Sequence, residues 1–195
     1  SWFGDGQLTA PANDTRDAMT VLPGSSGSVS SNTAAATRDD ACGPVARDSP
    51  GAQSIWYQWT APADGWATFD TAGSSFDTLL GVFAAGCREE HRLAESDDAP
   101  GRMTSRVRLW VRSGTQYAIA VDGYSPEGVN AENGPVTLEW SFQPEADATP
   151  PETTLWSGPG PVSWTPYLGW TFRASEPGST FECQFNTSAE WQPCP

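Results

Sequence analysis

The chain has 195 residues, with 24 carboxylate side chains against 10 basic ones, every basic one an arginine, and a formal net charge of −14. That balance excludes nucleic acid as a partner, which needs a basic footprint, and no apolar run reaches the ~20 residues of a membrane span. Ten tryptophans, eight phenylalanines and four tyrosines, broken up by 19 glycines and 17 prolines, predict an all-β chain long enough to bury a core.

Residues 1–9 read as a linker or the end of a preceding segment, with Trp2 and Phe3 filling a local notch rather than packing on a partner domain. The opening SWFGDGQ lacks the basic and apolar regions of a signal peptide, so a signal has been removed, lies elsewhere or never existed. A Gly/Ser run from Gly24 to Ser31 carries one short strand around Ser28–Ser30. A long excursion to Gln53 follows, and a loop of that length needs a fixed point. The four cysteines supply one: no C-x-x-C pair and a single histidine, His91, argue for disulfides over zinc, and so for an oxidising, extracellular or cell-surface setting. Proximity pairs Cys183 with Cys194 and leaves Cys42 for Cys87, closures worth about 3 and about 4 kcal/mol.

From Ser54 to Phe83 the chain reads as three strands and two polar turns. Ile55, Tyr57 and Trp59 alternate with Ser54, Trp56 and Gln58. Ala61-Pro62-Ala63-Asp64-Gly65 is a turn, Trp66–Thr71 the return strand, and Thr78–Phe83 an apolar run that predicts burial on both faces. His91 is expected as an exposed residue opening a short strand. In Arg106–Arg112, Val107, Leu109 and Val111 point inward while Arg106, Arg108, Trp110 and Arg112 form an outward row. Either those arginines meet carboxylates across a neighbouring strand, Glu139 among them, or the row is a binding surface for a sugar or an anionic partner. Thr115–Asp122 and Val136–Phe142 complete the sheets, the latter burying Val136, Leu138 and Trp140. The prolines near Pro150 mark a linker.

The strings SIWYQWTAP, GWATFDT and SSFDTLLGVF, with Pro11-Ala12-Asn13-Asp14 upstream and Ser96-Asp97-Asp98, Ser105-Arg106-Val107 and YAIAVDG downstream, resemble the bacterial pre-peptidase C-terminal domain. The resemblance implies a jelly-roll-like β-sandwich over residues 10–143. After a Pro-rich linker at 144–151, the strings PPETTLWSGPG, GWTFRASEPGSTFECQF and EWQPCP resemble an immunoglobulin-like repeat of bacterial surface proteins. About half of that repeat is present over 152–195, which implies completion by the chain's own continuation or by another chain.

These resemblances imply a non-catalytic structural or adhesive module of a bacterial surface or secreted protein, a subunit of a larger assembly joined by strand complementation. The second reading is a carbohydrate- or protein-binding accessory module of an exported hydrolase. Partners would be other domains or subunits of the same assembly, or a glycan. No enzyme is expected, because nothing near His91 forms a nucleophile motif. No cofactor is expected either, and calcium is the one the resemblance raises. Asn13 and Asp14 match the family's ligand segment, but Thr9–Ala12 stand where its acidic residues belong, and Asp97 and Asp98 are the alternative ligands.

Overall fold

The structure, a computed structural model, describes residues 9–39, 45, 46, 49, 51–84, 88–126, 131–146, 151–158, 169–176, 178–184 and 190–194. Trp2, Phe3, Cys42, Cys87 and Phe185 lie outside them, and with them the expected Cys42–Cys87 bridge. Apart from 3-10 turns at Arg16–Ala18 and Glu89–His91, all regular structure described is β. The chain divides into two compact units, Ser1–Glu145 and Ala146–Pro195.

The first unit is a β-sandwich. One sheet has five strands, β1 (Thr20–Leu22), β3 (Ile55–Thr60), β8 (Gln116–Gly123), β5 (Thr78–Phe83) and β6 (Arg92–Ser96), hydrogen-bonded in the order β1-β3-β8-β5-β6. The other has four, β2 (Ser26–Asn32), β9 (Pro135–Pro144), β4 (Gly65–Asp70) and β7 (Arg106–Val111), in the order β2-β9-β4-β7. All pairings are antiparallel except β1 with β3, where a three-residue strand runs parallel along the edge. Sequence periodicity did not reveal β1, because three residues hold no period. His91 is half-buried, not exposed, and closes a 3-10 turn just before β6 instead of opening that strand.

The period-two residues of β3, β4, β7 and β9 meet between the sheets as the main core. Trp59 sits at its centre, edge-on to Phe69 at 5.7 Å between ring centroids and near Tyr117 and Phe142 at 6.2 and 6.0 Å. Its indole N–H donates to the Gly24 carbonyl at 2.9 Å, so burying this large ring leaves no orphaned donor.

The five-stranded sheet is apolar on its second face too. Trp56, Leu79, Phe83, Ala118 and Ala120 are buried there beneath Val45 and Ala46 from the excursion after β2. Every residue of β5 is buried, as its apolar run predicts. Polar bonds tether the cover. The Asp122 carboxylate, 2% exposed, accepts the N–H groups of Ala52 (3.2 Å), Gln53 (2.9 Å) and Gly123 (2.7 Å). The Ser49 hydroxyl donates to the Ser125 carbonyl and accepts the Ser125 N–H, both at 2.9 Å.

In the second unit β10 (Thr153–Ser157) pairs with β11 (Thr171–Ala174), and β12 (Glu182–Cys183) with β13 (Gln192–Pro193). Cys183 and Cys194 are disulfide-bonded, with Cα atoms 5.6 Å apart. By their apolar patterns Leu168–Ala174 and Thr180–Phe185 read as strands with Trp170, Phe172, Phe181 and Phe185 facing inward, and the strands found there are shorter. Of the side chains expected to face inward, Trp170 is 46% and Phe172 39% exposed, and Phe181 is half-buried against Phe172. Two-stranded ribbons offer too few neighbours to cover such rings.

Gly81 shows how tightly the cover is seated on the five-stranded sheet. A Cβ there would stand 2.7 Å from the Val45 carbonyl oxygen and 2.9 Å from the Phe83 ring. Gly81→Ala should therefore lower stability by roughly 1–3 kcal/mol, the usual cost of overpacking. Urea unfolding monitored by tryptophan fluorescence checks it, and an unchanged midpoint would mean that the cover yields freely.

Candidate functional site

The outer face of β4 and β7 is the most distinctive surface of the first unit. Alternation in β7 buries Val107, Leu109 and Val111 and exposes Arg106, Arg108 and Trp110. The same alternation in β4 turns Trp66, Thr68 and Asp70 toward that face. The register sets Trp66 opposite Trp110, Thr68 opposite Arg108, and Asp70 opposite Arg106. The two indoles meet edge to face at 5.5 Å, each still 39% exposed, and the Arg108 guanidinium lies over the Trp66 ring at 4.5 Å. Arg112, one residue beyond β7, is exposed and donates its backbone N–H to the Tyr117 hydroxyl at 2.9 Å.

The outward row thus splits into two kinds of residue. Arg106 donates through Nε to Asp70 at 2.6 Å, and Arg102 grips the same carboxylate with two bonds of 2.9 and 2.8 Å. Asp70 also caps its own turn by accepting the Ala72 N–H at 2.8 Å. Burial alone would raise the Asp70 pKa, but the bonds from Arg102, Ala72 and Arg106 outweigh it and hold the carboxyl below its ordinary 3.8. The carboxylate met across the neighbouring strand is Asp70, not Glu139. The reason is strand order: β4 lies between β7 and β9, and Glu139 pairs in register with Asp70 one strand further away. Continuing from the aromatic pair across the face is a polar groove of about 310 Å³, lined by Ser26, Ser28, Thr68, Arg106, Glu139 and Ser141 among others.

Behind Asp70 a buried polar network joins three loops. The Thr71 and Thr78 hydroxyls lie 2.6 Å apart, and the Ser105 N–H reaches them at 2.8 and 3.0 Å. The Ser105 hydroxyl lies between the carbonyls of Thr78 and Asp97 and shares its one proton with them. Beyond this network Asp77, Asp97 and Asp98 gather, with carboxylate oxygens within 4.8 Å of one another. Burial first, then the charges of Asp97, Asp98 and Glu132, push the Asp77 pKa up to about 6. These hard oxygen donors are of the type a divalent cation takes, although calcium asks for six to eight. The other calcium segment is already engaged: the Asn13 side chain donates to the Trp56 carbonyl at 3.1 Å, and Asp14 accepts the Thr37 N–H and hydroxyl at 2.5 and 2.8 Å. Asp14 is not part of the acidic cluster formed by Asp77, Asp97 and Asp98.

Sequence reasoning singled out Arg106, Arg108, Trp110, Arg112, Asp97 and Asp98 but missed Trp66, Asp70 and Asp77. Trp66 and Asp70 carry a legible signal, their alternation with the inward Ala67 and Phe69. What no local pattern supplies is the pairing of β4 with β7, some 40 residues apart.

No protein-family model and no curated protein matches the chain. Among solved structures it is similar to Aeromonas hydrophila PliG, a periplasmic lysozyme inhibitor of g-type lysozyme. That match has 19% identity over 64% of this chain and 97% of that one, with a TM-score of 0.42. It is also similar to the pre-peptidase C-terminal domain of a Bacillus anthracis collagenase, at 11% identity over 64% of this chain and 94% of that one, with a TM-score of 0.40. The likeness is a distant one between β-sandwiches and extends no further.

Two measurements probe the site's electrostatics. Asp70→Asn should cost about 2–4 kcal/mol, because it strips a nearly buried carboxylate from two guanidiniums, whereas Arg108→Gln should cost less than ~1 kcal/mol. Equal losses in chemical denaturation would contradict the division of the row. Asp77 gives the pH test. Its folded pKa is raised, so the folded state holds a proton that the unfolded chain has released, and this stabilisation fades as pH rises from about 4 through about 6. Asp98→Asn removes one repelling charge and should raise Tm by about 1–3 °C near neutral pH, and by less at about pH 4.5. A gain independent of pH would show that repulsion at Asp77 is not its source.

Proposed function

We propose that this chain is a non-catalytic extracellular module of a bacterial surface or secreted protein, structural or adhesive in role, whose second unit is completed by a strand from outside residues 1–195. The observation that carries the reading is the state of β10 and β11. Among the described residues they pair only with each other, while Leu155, Trp156, Trp170, Phe172 and Trp191 are 39–63% exposed. Covering each would gain roughly 1.5–3 kcal/mol, together more than the ~3 kcal/mol of the Cys183–Cys194 closure. An added strand would satisfy a free edge and cover an apolar face at once, as in donor-strand pairing. The Cys183–Cys194 bridge supports an oxidising compartment. A single histidine without a nucleophile motif around it supports leaving catalysis out.

A second reading, a carbohydrate- or protein-binding accessory module, is favoured by the exposed Trp66–Trp110 pair and the polar groove beside it.

Hydrogen exchange on residues 1–195 as a dilute monomer tests the first reading. Amides of Thr171–Ala174 and Glu182–Cys183 should exchange fast there and slow down when a completing segment or a second copy is added at high concentration. Strong protection in the dilute monomer would mean that the second unit is self-sufficient, and strand complementation would fall.

A further inference from the structure

We infer that the Trp66–Trp110 face binds an acidic saccharide, a pyranose bearing a carboxylate or sulfate group. The inference rests on the accessory-module reading and adds the charge class of its ligand.

Charge distribution comes first. The chain carries −14 overall, yet residues 99–121 contain Arg102, Arg106, Arg108 and Arg112 and not one acid. Four of the ten basic residues thus fall on β7 and its flanks. Two of them, Arg102 and Arg106, are committed to Asp70. Arg108 makes no ion pair among the described residues; its partner is the face of Trp66. An exposed guanidinium held over an indole keeps its outer N–H donors for an anion, and its planar fork matches a carboxylate or sulfate. Apart from Asp70, which Arg102 and Arg106 engage, the acid facing the same surface from the described strands is Glu139, and it lies on β9 beyond β4. The face therefore grades from acidic over β9 to basic over β7, which orients an anionic group toward Arg108.

The remaining features favour a sugar over a generic anion. The ring faces of Trp66 and Trp110 carry negative quadrupole, which attracts the slightly positive C–H groups of a pyranose. Thr68 and Ser141, adjacent in register, place hydroxyls beside the rings, and Ser26 and Ser28 extend the row into the groove. Its volume of about 310 Å³ stands at the lower end of the ~300–1,000 Å³ typical of ligand sites, so it suits one or two sugar units of a polymer. Arg108 and the two tryptophans are not in the core, so the face can be altered while the sandwich stays intact.

The test titrates the 195-residue protein with polygalacturonate, dextran sulfate, uncharged dextran and poly-glutamate, reading tryptophan fluorescence and calorimetry at low and high salt. Polygalacturonate or dextran sulfate should bind, at least tenfold more weakly when salt rises from about 50 to about 500 mM. Trp110→Ala and Trp66→Ala should each weaken binding about tenfold, with Trp110→Phe restoring most of it. Arg108→Gln should weaken the acidic polymers at least fivefold with Tm unchanged. Equal binding of uncharged dextran would overturn the acidic assignment while leaving the accessory-module reading in place. Equal binding of poly-glutamate would overturn the saccharide and make the face an anion patch. Binding of none of the four would overturn the inference, and loss of the accessory-module reading would then require a failed screen of protein partners as well.

Discussion

The first unit depends on one constraint: its five-stranded sheet is apolar on both faces and needs two covers. The four-stranded sheet supplies one through the core around Trp59. The excursion after β2 supplies the other, with Val45 and Ala46 over Trp56 and Phe83. A cover made of loop carries backbone polar groups into the interior, and the buried carboxylate of Asp122 answers by accepting two of their N–H groups, those of Ala52 and Gln53. The division of labour follows directly. Because the five-stranded sheet has spent both faces on packing, among the described residues it is the four-stranded sheet that keeps a broad wet face, and a surface site of the first unit has its natural place there.

Asp70 links that scaffold to the face. It ends β4, draws in Arg102 and Arg106, and stands next to the Thr71–Thr78–Ser105 network that ties the start of β5 to the start of β7. On the far side of this network the like charges of Asp77, Asp97 and Asp98 work against folding at neutral pH. The two clusters answer acid in opposite ways. Protonation relieves Asp77 at about pH 6, while Asp70, its pKa held below the ordinary 3.8 by Arg102, Ala72 and Arg106, keeps its charge into stronger acid. At these two clusters, mild acid lifts the repulsion at Asp77 before stronger acid removes the charge that holds Arg102 and Arg106.

Much of the sandwich was legible in the sequence because two-fold alternation is a local property. Ile55, Tyr57 and Trp59, or Val107, Leu109 and Val111, announce both a strand and its buried face. The unbroken apolar run of β5 announced double burial in the same way. The unread parts have non-local causes. β1 is three residues long and gains its identity only from lying along β3. The partner of Arg106 depends on which strand lies beside β7, and a sequence offers 24 acids without ranking them by distance. Asp77 joins Asp97 and Asp98 because β5 and the turn after β6 converge, which neither segment records by itself.

Register parity explains why neighbouring arginines on one strand differ in role. Arg106 and Arg108 share a face, a strand and the same flexible stem, but across β4 the first meets Asp70 and the second meets Thr68. The nearly buried Asp70 carboxylate, shared with Arg102, holds the Arg106 guanidinium in place; Arg106 is thereby part of the architecture. A threonine offers no charge, so Arg108 turns to the ring of Trp66, whose quadrupole attracts the cation without cancelling it. The Arg108 charge is left available above a pair of half-exposed indoles, on a strand whose next acids in sequence are Asp98 and Asp122. Moving an acid to position 68 would give Arg108 the fate of Arg106, so the absence of a carboxylate at Thr68 matters as much to this face as the presence of tryptophan at 66 and 110.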